Sequence, residues 1–479
     1  MHALDVAILV IYGAGMIAVG AYFQRRQTSL EEYFVGGRSM GAGHIGLSVV
    51  ATDVGGGFSI GLGGLGFAMG LSASWLLFTG LLGAWISAVL LLPRVKALGD
   101  AHRHRSFPDF LGHRFGNGTR LLAAAVSAIG YAGFTGAQVL AGAKLGSAAF
   151  GVPLVEAVAG MAVVIVFYTA LGGLEAVVYT DTVQWVILFG GLLLFALPLG
   201  LRAVGGVSGL VAALPPGHLS LTNVSLGQVG TWIVTIVPVW FVAMTVYQRI
   251  HASRDLATAR RAWFMAGLLE YPLMAFLGAI LGMFGRVLYP AVDPEMGLPM
   301  VIRHVLPVGA TGLILAAYFS AIMSTADSCL LASVANVVDD IYGRTVRPHA
   351  PESHHLRASR WATVVIGLGS VAFALYVPSV IDSILLAYSF LVGGLFVPTL
   401  AALFWPRVGA RAAFWSMLAG GAVTVVLTAH DFGLGVEPVV AGLALSSGVL
   451  ALVTAASPRP AAALAGADVR TSKEPSNVT

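Results

Sequence analysis

Residues 51–59 read Ala-Thr-Asp-Val-Gly-Gly-Gly-Phe-Ser and lie inside an apolar segment of roughly residues 41–70. Three consecutive glycines, each costing about 1 kcal/mol of helix stability relative to alanine, predict an interruption of the helix. Asp53 adds a carboxylate, which costs about 3 kcal/mol near the middle of a membrane. A cation held by freed carbonyl groups and a nearby carboxylate would offset both costs, as in transporters with broken helices. The alternative is a glycine face for close helix packing, with Asp53 bonded to a neighbouring helix.

The composition is that of a polytopic membrane protein. Of the 479 residues, 57% are hydrophobic and only 10% are charged, whereas soluble domains carry about 25% charged residues. The net charge of +4 gives no indication of nucleic-acid binding. Segments long enough to span a bilayer predict an all-α fold with 13 transmembrane helices, at approximately 4–22, 41–70, 73–96, 118–148, 153–171, 176–203, 228–252, 260–288, 306–343, 359–378, 380–405, 411–429 and 437–457.

The distribution of Lys and Arg predicts the orientation. With the N-terminus outside, every Lys and Arg except Lys144, Arg202, Arg286 and Arg303 falls in an inward loop or in the tail, as the positive-inside rule requires. Arg249 is counted here as a loop residue. We therefore expect a protein of the plasma (inner) membrane, with residues 1–457 as the transporter domain. Residues 458–479, rich in Ala, Pro and Ser, are expected to form a disordered cytoplasmic tail.

The ten segments that remain after the first and the last two are set aside divide into two groups of five. The halves would be residues 41–203 and 228–405, and the first segment of each is interrupted, by Gly55–Gly57 in one and by Pro238 in the other. Paired interruptions at corresponding positions predict an inverted repeat with a binding site near the middle of the membrane.

The ninth segment contains residues 321–329, Ala-Ile-Met-Ser-Thr-Ala-Asp-Ser-Cys. Ser324, Asp327 and Ser328 share one face of a helix at this spacing. Hydroxyls together with a buried carboxylate favour a site for a small ion. The alternative is that the hydroxyls bond carbonyl groups of their own helix and that Asp327 bonds a neighbouring helix.

Two further carboxylates lie within apolar segments. Asp181 belongs to residues 172–184, Gly-Gly-Leu-Glu-Ala-Val-Val-Tyr-Thr-Asp-Thr-Val-Gln, and Glu270 lies in the eighth segment. A carboxylate inside a membrane is a functional candidate by default. Glu270 would pair with a solute amine or with a protein group, and the sequence leaves both open. The stretch His102-Arg-His-Arg is interpreted as an anchor on the inner face, and only superficially resembles a metal or phosphate site.

These segments, with Glu31-Glu-Tyr-Phe-Val-Gly-Gly-Arg before the second span, resemble the sodium/solute symporter family over roughly residues 1–430. The resemblance implies a sodium site formed by the carbonyls of Ala51, Val54 and Ala321 and the hydroxyls of Ser324 and Thr325. A second cation site, found in some members, would use Asp181, Ser324, Asp327 and Ser328. The sequence departs from the sialic acid carriers at Asp327, where those carriers have serine.

The solute pocket is expected on the helix faces near the two breaks. The candidate residues are Phe58, Trp75, Phe134, Gln138, Trp240, Phe241, Met244 and Tyr388. Quaternary ammonium recognition needs aromatic faces around the cation. Choline-type members of the family have a tryptophan where this chain has Asp53, and a second aromatic of their cage aligns with Ala243. Both differences argue against choline as the solute.

The resulting prediction is a secondary active transporter that imports a small organic solute with sodium by alternating access. Sodium is the coupling ion, and the solute and the lipid bilayer are the other partners. Proton coupling through Asp53, Asp181 and Asp327 is one alternative, and a membrane solute sensor is another. The sequence has no His-Glu-x-x-His, Gly-x-Ser-x-Gly or Walker motif, which argues against an enzyme or an ATP-driven pump.

Overall fold

The computed structural model of the chain describes residues 1–24, 30–171, 174–430, 432 and 435–457. The predicted tail, residues 458–479, lies outside the described residues. Within those ranges the regular structure is helical, apart from one isolated bridge between Met40 and Ser253. The α-helices are α1 (Ala3–Gln24), α2 (Leu30–Val35), α3 (Ala42–Val54), α4 (Gly56–Met69), α5 (Trp75–Leu90), α6 (Leu92–His102), α7 (Phe107–Phe115), α8 (Asn117–Phe150), α9 (Leu154–Leu171), α10 (Leu174–Gly191), α11 (Leu197–Ala203), α12 (Gly206–Ala213), α13 (Leu226–Val242), α14 (Met244–Ala252), α15 (Leu256–Leu268), α16 (Ala275–Leu288), α17 (Pro294–Val305), α18 (Ala310–Ala335), α19 (Glu352–Tyr376), α20 (Val380–Phe404), α21 (Ala410–Ala429) and α22 (Pro438–Ala456).

Within the described ranges, 9 helices are long and apolar enough to cross a membrane, or 10 if the bent pair α13 and α14 counts as one span. The all-helical membrane architecture is therefore confirmed, and the count of thirteen is not. One reason lies in the predicted span 41–70, which the structure divides into α3, with 13 residues, and α4, with 14 residues. Each piece is shorter than the roughly 20 residues that a continuous span needs.

The interruption predicted at the glycine triplet is confirmed. Helix α3 ends at Val54 and α4 begins at Gly56, with Gly55 between them at φ −28° and ψ −174°. In the other predicted half, α13 continues through Pro238 and ends at Val242. Ala243 is extended, with φ −68° and ψ 118°, and the chain bends there by 43°. The second break therefore exists, but it lies at Ala243 rather than at the proline. The division into the halves 41–203 and 228–405 stays a prediction.

A third break was not predicted. Between α15 and α16, residues Leu269–Met274 form a π-helical turn in which Tyr271 is extended, with φ −133° and ψ 122°. Pro272 lies inside this turn and lacks the N–H that a regular helix would use. The turn leaves Glu270 fully buried, with 0% of its surface exposed.

Helix α18 is the most deeply buried of the long helices and packs against α3, α4, α8 and α10. Its polar residues Ser324, Thr325, Asp327 and Ser328 are each at most 1% exposed. These groups therefore face other helices instead of lipid, as polar groups in membrane helices usually do. Helix α18 therefore contacts both parts of the broken helix formed by α3 and α4.

Candidate sodium and solute sites

The break between α3 and α4 lies directly against the middle of α18. The hydroxyl of Thr325 is 3.0 Å from the carbonyl oxygen of Ala51 and 3.1 Å from that of Ala321. The second contact is with the residue four positions earlier in α18, which is the bond within the same helix that the sequence left open as the alternative. Gly55 permits the first contact, because a Cβ atom there would lie 1.8 Å from Thr325 Oγ1. The structure thus brings together Ala51, Ala321 and Thr325, which are three of the five residues implied for a sodium site. Val54 is the last residue of α3, and its side chain lies outside the described residues.

Ser324 faces a different neighbour from Thr325, because successive residues of an α-helix point about 100° apart. Its hydroxyl donates to Asp181 Oδ1 on α10, and the hydroxyl of Ser48 on α3 donates to Asp181 Oδ2. All three groups are buried. Asp181 therefore joins α3, α10 and α18 one helix face away from Thr325, and Ser324 is placed beside that carboxylate.

Arg249 is a site residue that the sequence analysis missed. It lies in α14 and is 1% exposed, so its assignment to an inward loop was wrong. Its Nη2 lies 3.4 Å from Asp181 Oδ2 and 3.0 Å from Ser328 Oγ, and its Nε lies 3.0 Å from Ser48 Oγ. A guanidinium group thus contacts two of the residues implied for a second cation. The signal that was available is Asp181 itself, because a buried carboxylate needs a cationic partner.

Asp327 belongs to a different contact. Its Oδ1 accepts a hydrogen bond of 2.5 Å from Thr169 Oγ1 on α9. Within the described part of the chain, its Oδ2 has no hydrogen-bond partner. Of the residues implied for a second cation, Asp181, Ser324 and Ser328 therefore converge with Arg249, whereas Asp327 points its bonded oxygen towards α9.

A cavity lies between the breaks at Gly55 and Ala243. Its lining residues are Val49, Thr52, Asp53, Tyr131, Phe134, Val239, Trp240, Ala243, Thr245, Val246, Arg249 and Tyr388. Three of the predicted solute residues, Phe134, Trp240 and Tyr388, are among them. The rings of Phe134 and Tyr388 meet edge to face with centroids 5.0 Å apart. The cavity therefore combines aromatic faces with one carboxyl group and one guanidinium group.

Two other predicted solute residues pack elsewhere among the described residues. Phe241 packs edge to face on Phe396, with ring centroids 5.7 Å apart. Met244 is fully buried, and its sulfur accepts a 3.2 Å hydrogen bond from the N–H of Phe107. Both residues flank the break at Ala243, but they support the neighbouring helices and do not line the cavity.

Trp75 and Gln138 also lie apart from the cavity lining. The indole Nε1 of Trp75 donates to the carbonyl oxygen of Leu221 over 2.9 Å, which ties α5 to the loop before α13. Gln138 is fully buried in α8. The side chain of Phe58 lies outside the described residues.

Three histidine rings form a cluster: His102 lies in the last turn of α6, His104 lies between α6 and α7, and His113 lies in the last turn of α7. The ring centroid of His102 is 5.7 Å from that of His104 and 4.3 Å from that of His113. Burial lowers the pKa of His104 to about 4, although Asp109 nearby acts in the opposite direction. In the part of the chain that the structure describes, no group of three His, Cys, Asp or Glu side chains is arranged to hold a metal ion.

Comparison with known proteins places this geometry in a family. The model of the sodium:solute symporter family matches residues 33–420. The osmoregulated proline transporter OpuE of Bacillus subtilis (strain 168) is 29% identical over 479 residues, covering 95% of each chain. The sodium/pantothenate symporter of Escherichia coli (strain K12) is 28% identical over 456 residues, covering 91% of this chain and 93% of the relative.

A solved structure supports the fold over nearly the whole length. The chain superposes on a Na⁺-coupled sialic acid symporter in a substrate-bound outward-open state with a TM-score of 0.79. The alignment covers 96% of this chain and 98% of that one, at 21% sequence identity. The match of the family model across most of the chain, together with this fold, shows that the protein belongs to the sodium:solute symporter family.

Proposed function

We propose that this chain imports a small organic solute together with sodium by alternating access. The observation that carries the proposal is the contact between the broken helix and α18. There, the Thr325 hydroxyl lies 3.0 and 3.1 Å from the carbonyls of Ala51 and Ala321. Three oxygens converge where α3 ends and α4 begins, and carbonyls at such breaks coordinate sodium in broken-helix transporters.

In this proposal sodium is bound by the carbonyls of Ala51, Val54 and Ala321 and the hydroxyls of Ser324 and Thr325. Ser324 would offer the ion a lone pair of its oxygen while its hydrogen is donated to Asp181. The ion holds α3 and α4 against α18 and so completes the adjoining cavity for the solute. With the proposed orientation, in which the N-terminus is outside and the C-terminus is cytoplasmic, sodium and solute would enter from the outside and leave on the cytoplasmic side. Each ligand should therefore tighten binding of the other by the same factor.

A single sodium ion supplies enough energy for uptake of a neutral solute. One positive charge moving through 100 mV releases about 2.3 kcal/mol. A tenfold concentration gradient adds about 1.4 kcal/mol. The total of about 3.7 kcal/mol corresponds to roughly 500-fold accumulation of the solute.

The arrangement around Arg249 supports a stoichiometry of one. Its guanidinium already contacts Asp181 and Ser328, with one of its nitrogens 3.4 Å from the Asp181 carboxylate. A second metal cation there would be repelled by the guanidinium charge and would compete with it for the same oxygens. The tethered cation thus takes the place that a second sodium would fill.

The test is a thermal-shift screen of the purified protein against amino acids, sugars, carboxylates and vitamins, with and without sodium. Binding of a ligand to the folded state alone raises its unfolding temperature. We expect one solute class to stabilise the protein strongly in sodium and weakly in potassium. The double substitution Ser324→Ala with Thr325→Ala should remove the sodium effect. A sodium effect of wild-type size in that variant would refute the site.

Proton coupling is the second candidate, and Asp327 is the observation that favours it. This carboxyl is 1% exposed, and one of its oxygens has no hydrogen-bond partner among the described residues. Uptake driven by a proton gradient in sodium-free buffer, and lost in Asp327→Asn, would support this candidate and would contradict sodium coupling.

A further inference from the structure

Two carboxyl groups meet beside the solute cavity, on two different broken helices. Asp53 lies near the end of α3, and Glu270 lies in the π-helical turn between α15 and α16. The two side chains interact directly. Both also reach the backbone of Gly80 on α5, where an added Cβ atom would lie 2.9 Å from Glu270 Oε2 and 3.4 Å from Asp53 Oδ2.

In the part of the chain that the structure describes, Glu270 has no hydrogen-bonding partner other than Asp53. It is 0% exposed, and neither of its oxygens receives a hydrogen bond from a protein donor. Two ionised carboxylates in contact away from water would repel each other. A hydrogen between them removes the repulsion and turns the contact into a hydrogen bond. Glu270 is 0% exposed, whereas Asp53 is partly exposed and lines the cavity, so burial disfavours the charged form more strongly at Glu270 than at Asp53.

Asp53 is the partner that faces the solute. It lines the cavity together with the rings of Tyr131, Phe134, Trp240 and Tyr388. Asp53 also contacts the side chain of Tyr388. A carboxylate surrounded by aromatic faces is suited to an ammonium group, which gains charge attraction from the carboxylate and cation–π attraction from the rings. The guanidinium of Arg249 also lines the cavity, but it is paired with Asp181, so a neutral polyol would leave the negative charge of Asp53 without a partner.

We propose that Asp53 binds the protonated amine of the solute and that neutral Glu270 donates a hydrogen bond that positions the Asp53 carboxylate. Glu270 is a positioning residue in this arrangement, because it touches Asp53 and not the cavity. The single negative charge of the pair is balanced by the single positive charge of the ammonium group, so no proton leaves when the solute binds. The inference rests on the proposed function, since it names the solute class of the same site.

The experiment uses the full-length protein in detergent and matched solutes that differ in the ammonium group. L-proline and L-alanine provide the amine, tetrahydrofuran-2-carboxylate and lactate are their counterparts without it, and methylammonium and myo-inositol are the minimal cationic and neutral probes. The readout is the solute-dependent rise in unfolding temperature at fixed sodium, converted to a dissociation constant by titration. We expect sodium-dependent stabilisation by amine-containing solutes only.

Variants separate the roles of the two carboxyls. Asp53→Asn should weaken binding of the amine-containing solute by roughly 30-fold or more, as removal of one member of a buried charge pair does. Glu270→Gln retains an N–H donor and should bind within about threefold of wild type, whereas Glu270→Ala should not. Glu156→Gln, which changes an exposed carboxylate on α9, is the matched control. The infrared spectrum of the wild-type protein minus that of Glu270→Gln should show the carbonyl band of a protonated carboxylic acid, because the variant lacks this group.

The outcomes are distinguishable. Sodium-dependent stabilisation by myo-inositol or by the counterparts without an amine, unaffected by Asp53→Asn, would overturn the ammonium site and leave sodium-coupled transport standing. Loss of binding in Glu270→Gln equal to that in Glu270→Ala would overturn the donor role of Glu270. The absence of a sodium-dependent effect from every solute would overturn the proposed function and the inference with it.

Discussion

Gly55 leaves no room for a side chain at the point where α3, α4 and α18 meet. A Cβ atom would lie 1.8 Å from Thr325 Oγ1 and 2.7 Å from the carbonyl oxygen of Ala51. We expect Gly55→Ala to separate these oxygens and to reduce sodium affinity at least tenfold, with a stability cost of about 1–3 kcal/mol. The measurement is sodium titration of the unfolding temperature.

The matched control for Gly55 is Gly160→Ala on α9, where a new Cβ atom meets no atom within 4 Å. This variant should bind sodium as wild type does, because the added methyl group contacts no other residue. Alanine is also the better helix former, so the helix should not be weakened. Equal sodium affinity in Gly55→Ala and Gly160→Ala would contradict the placement of the ion at the break.

Arg249 leads to a prediction about ion stoichiometry. With its guanidinium against Asp181 and Ser328, sodium activation of transport should follow a Hill coefficient of one. Arg249→Met leaves the Asp181 carboxylate without its cation, which costs about 3–5 kcal/mol for a buried pair. We expect the variant to be destabilised in potassium and to regain stability in sodium more than wild type does, because a second sodium replaces the guanidinium.

The double variant Arg249→Met with Asp181→Asn tests the same idea without the unpaired charge. It should lose the additional sodium response of the single variant. Cooperative sodium activation in the wild-type protein, with a Hill coefficient near two, would mean that Arg249 does not replace a second ion.

The sequence could predict some of these residues but not others. The resemblance to the sodium/solute symporter family implied Ala51, Ala321 and Thr325, and the structure brings these three residues together. Their role as sodium ligands stays a prediction. Arg249 was not predicted as a site residue, because the positive-inside rule treats an arginine near the end of a span as a loop residue. The packing of Phe241 and Met244 also could not be foreseen, because helical spacing does not tell a cavity-facing side chain from one that contacts a neighbouring helix.

At the scale of helices, the break at the glycine triplet could be predicted from the sequence. The break in the second predicted half was expected at Pro238 but lies at Ala243, and the turn at Glu270 was not predicted. Each of three adjacent glycines lowers the stability of the helix by about 1 kcal/mol relative to alanine, and these costs fall on one turn. A single proline carries much less information, because membrane helices tolerate it. Pro238 lies within the continuous helix α13, whereas Pro272 lies in a break. Whether the helix continues or breaks at a proline therefore depends on the residues around the proline.

The loop between α6 and α7 should respond to acid through His104. This residue is 6% exposed, and burial lowers its pKa to about 4, below the value of about 6.5 in an unfolded chain. The unfolded chain therefore takes up the proton more readily, and stability should fall as pH decreases from about 6.5 towards 4. Unfolding temperatures between about pH 7 and pH 5 measure the effect.

The matched pair for this pH dependence is His104→Gln and His349→Gln. His349 is exposed, so its removal should leave the acid-induced decrease in unfolding temperature unchanged, whereas His104→Gln should make the decrease shallower. An unchanged decrease in His104→Gln would assign the acid sensitivity to other groups.

For the whole molecule, the family match and the fold identify a membrane transporter. The thermodynamic linkage between sodium and solute then gives a quantitative prediction for their affinities. If one conformation binds both ligands, the factor by which sodium tightens the solute must equal the factor by which solute tightens sodium. Calorimetric titration of each ligand at low and at saturating concentrations of the other measures both factors. Unequal factors at equilibrium would indicate that binding involves more than these two linked sites, or that the protein preparation is heterogeneous.

Sodium-coupled transport is tested most directly by uptake into proteoliposomes that contain the purified protein and the solute found by the binding screen. An inward sodium gradient with an inside-negative potential should accumulate the solute above its external concentration, and Gly55→Ala should abolish the accumulation. A proton gradient imposed in potassium buffer should not drive uptake. Accumulation driven equally well by protons without sodium, or equilibration without accumulation, would contradict sodium-coupled symport.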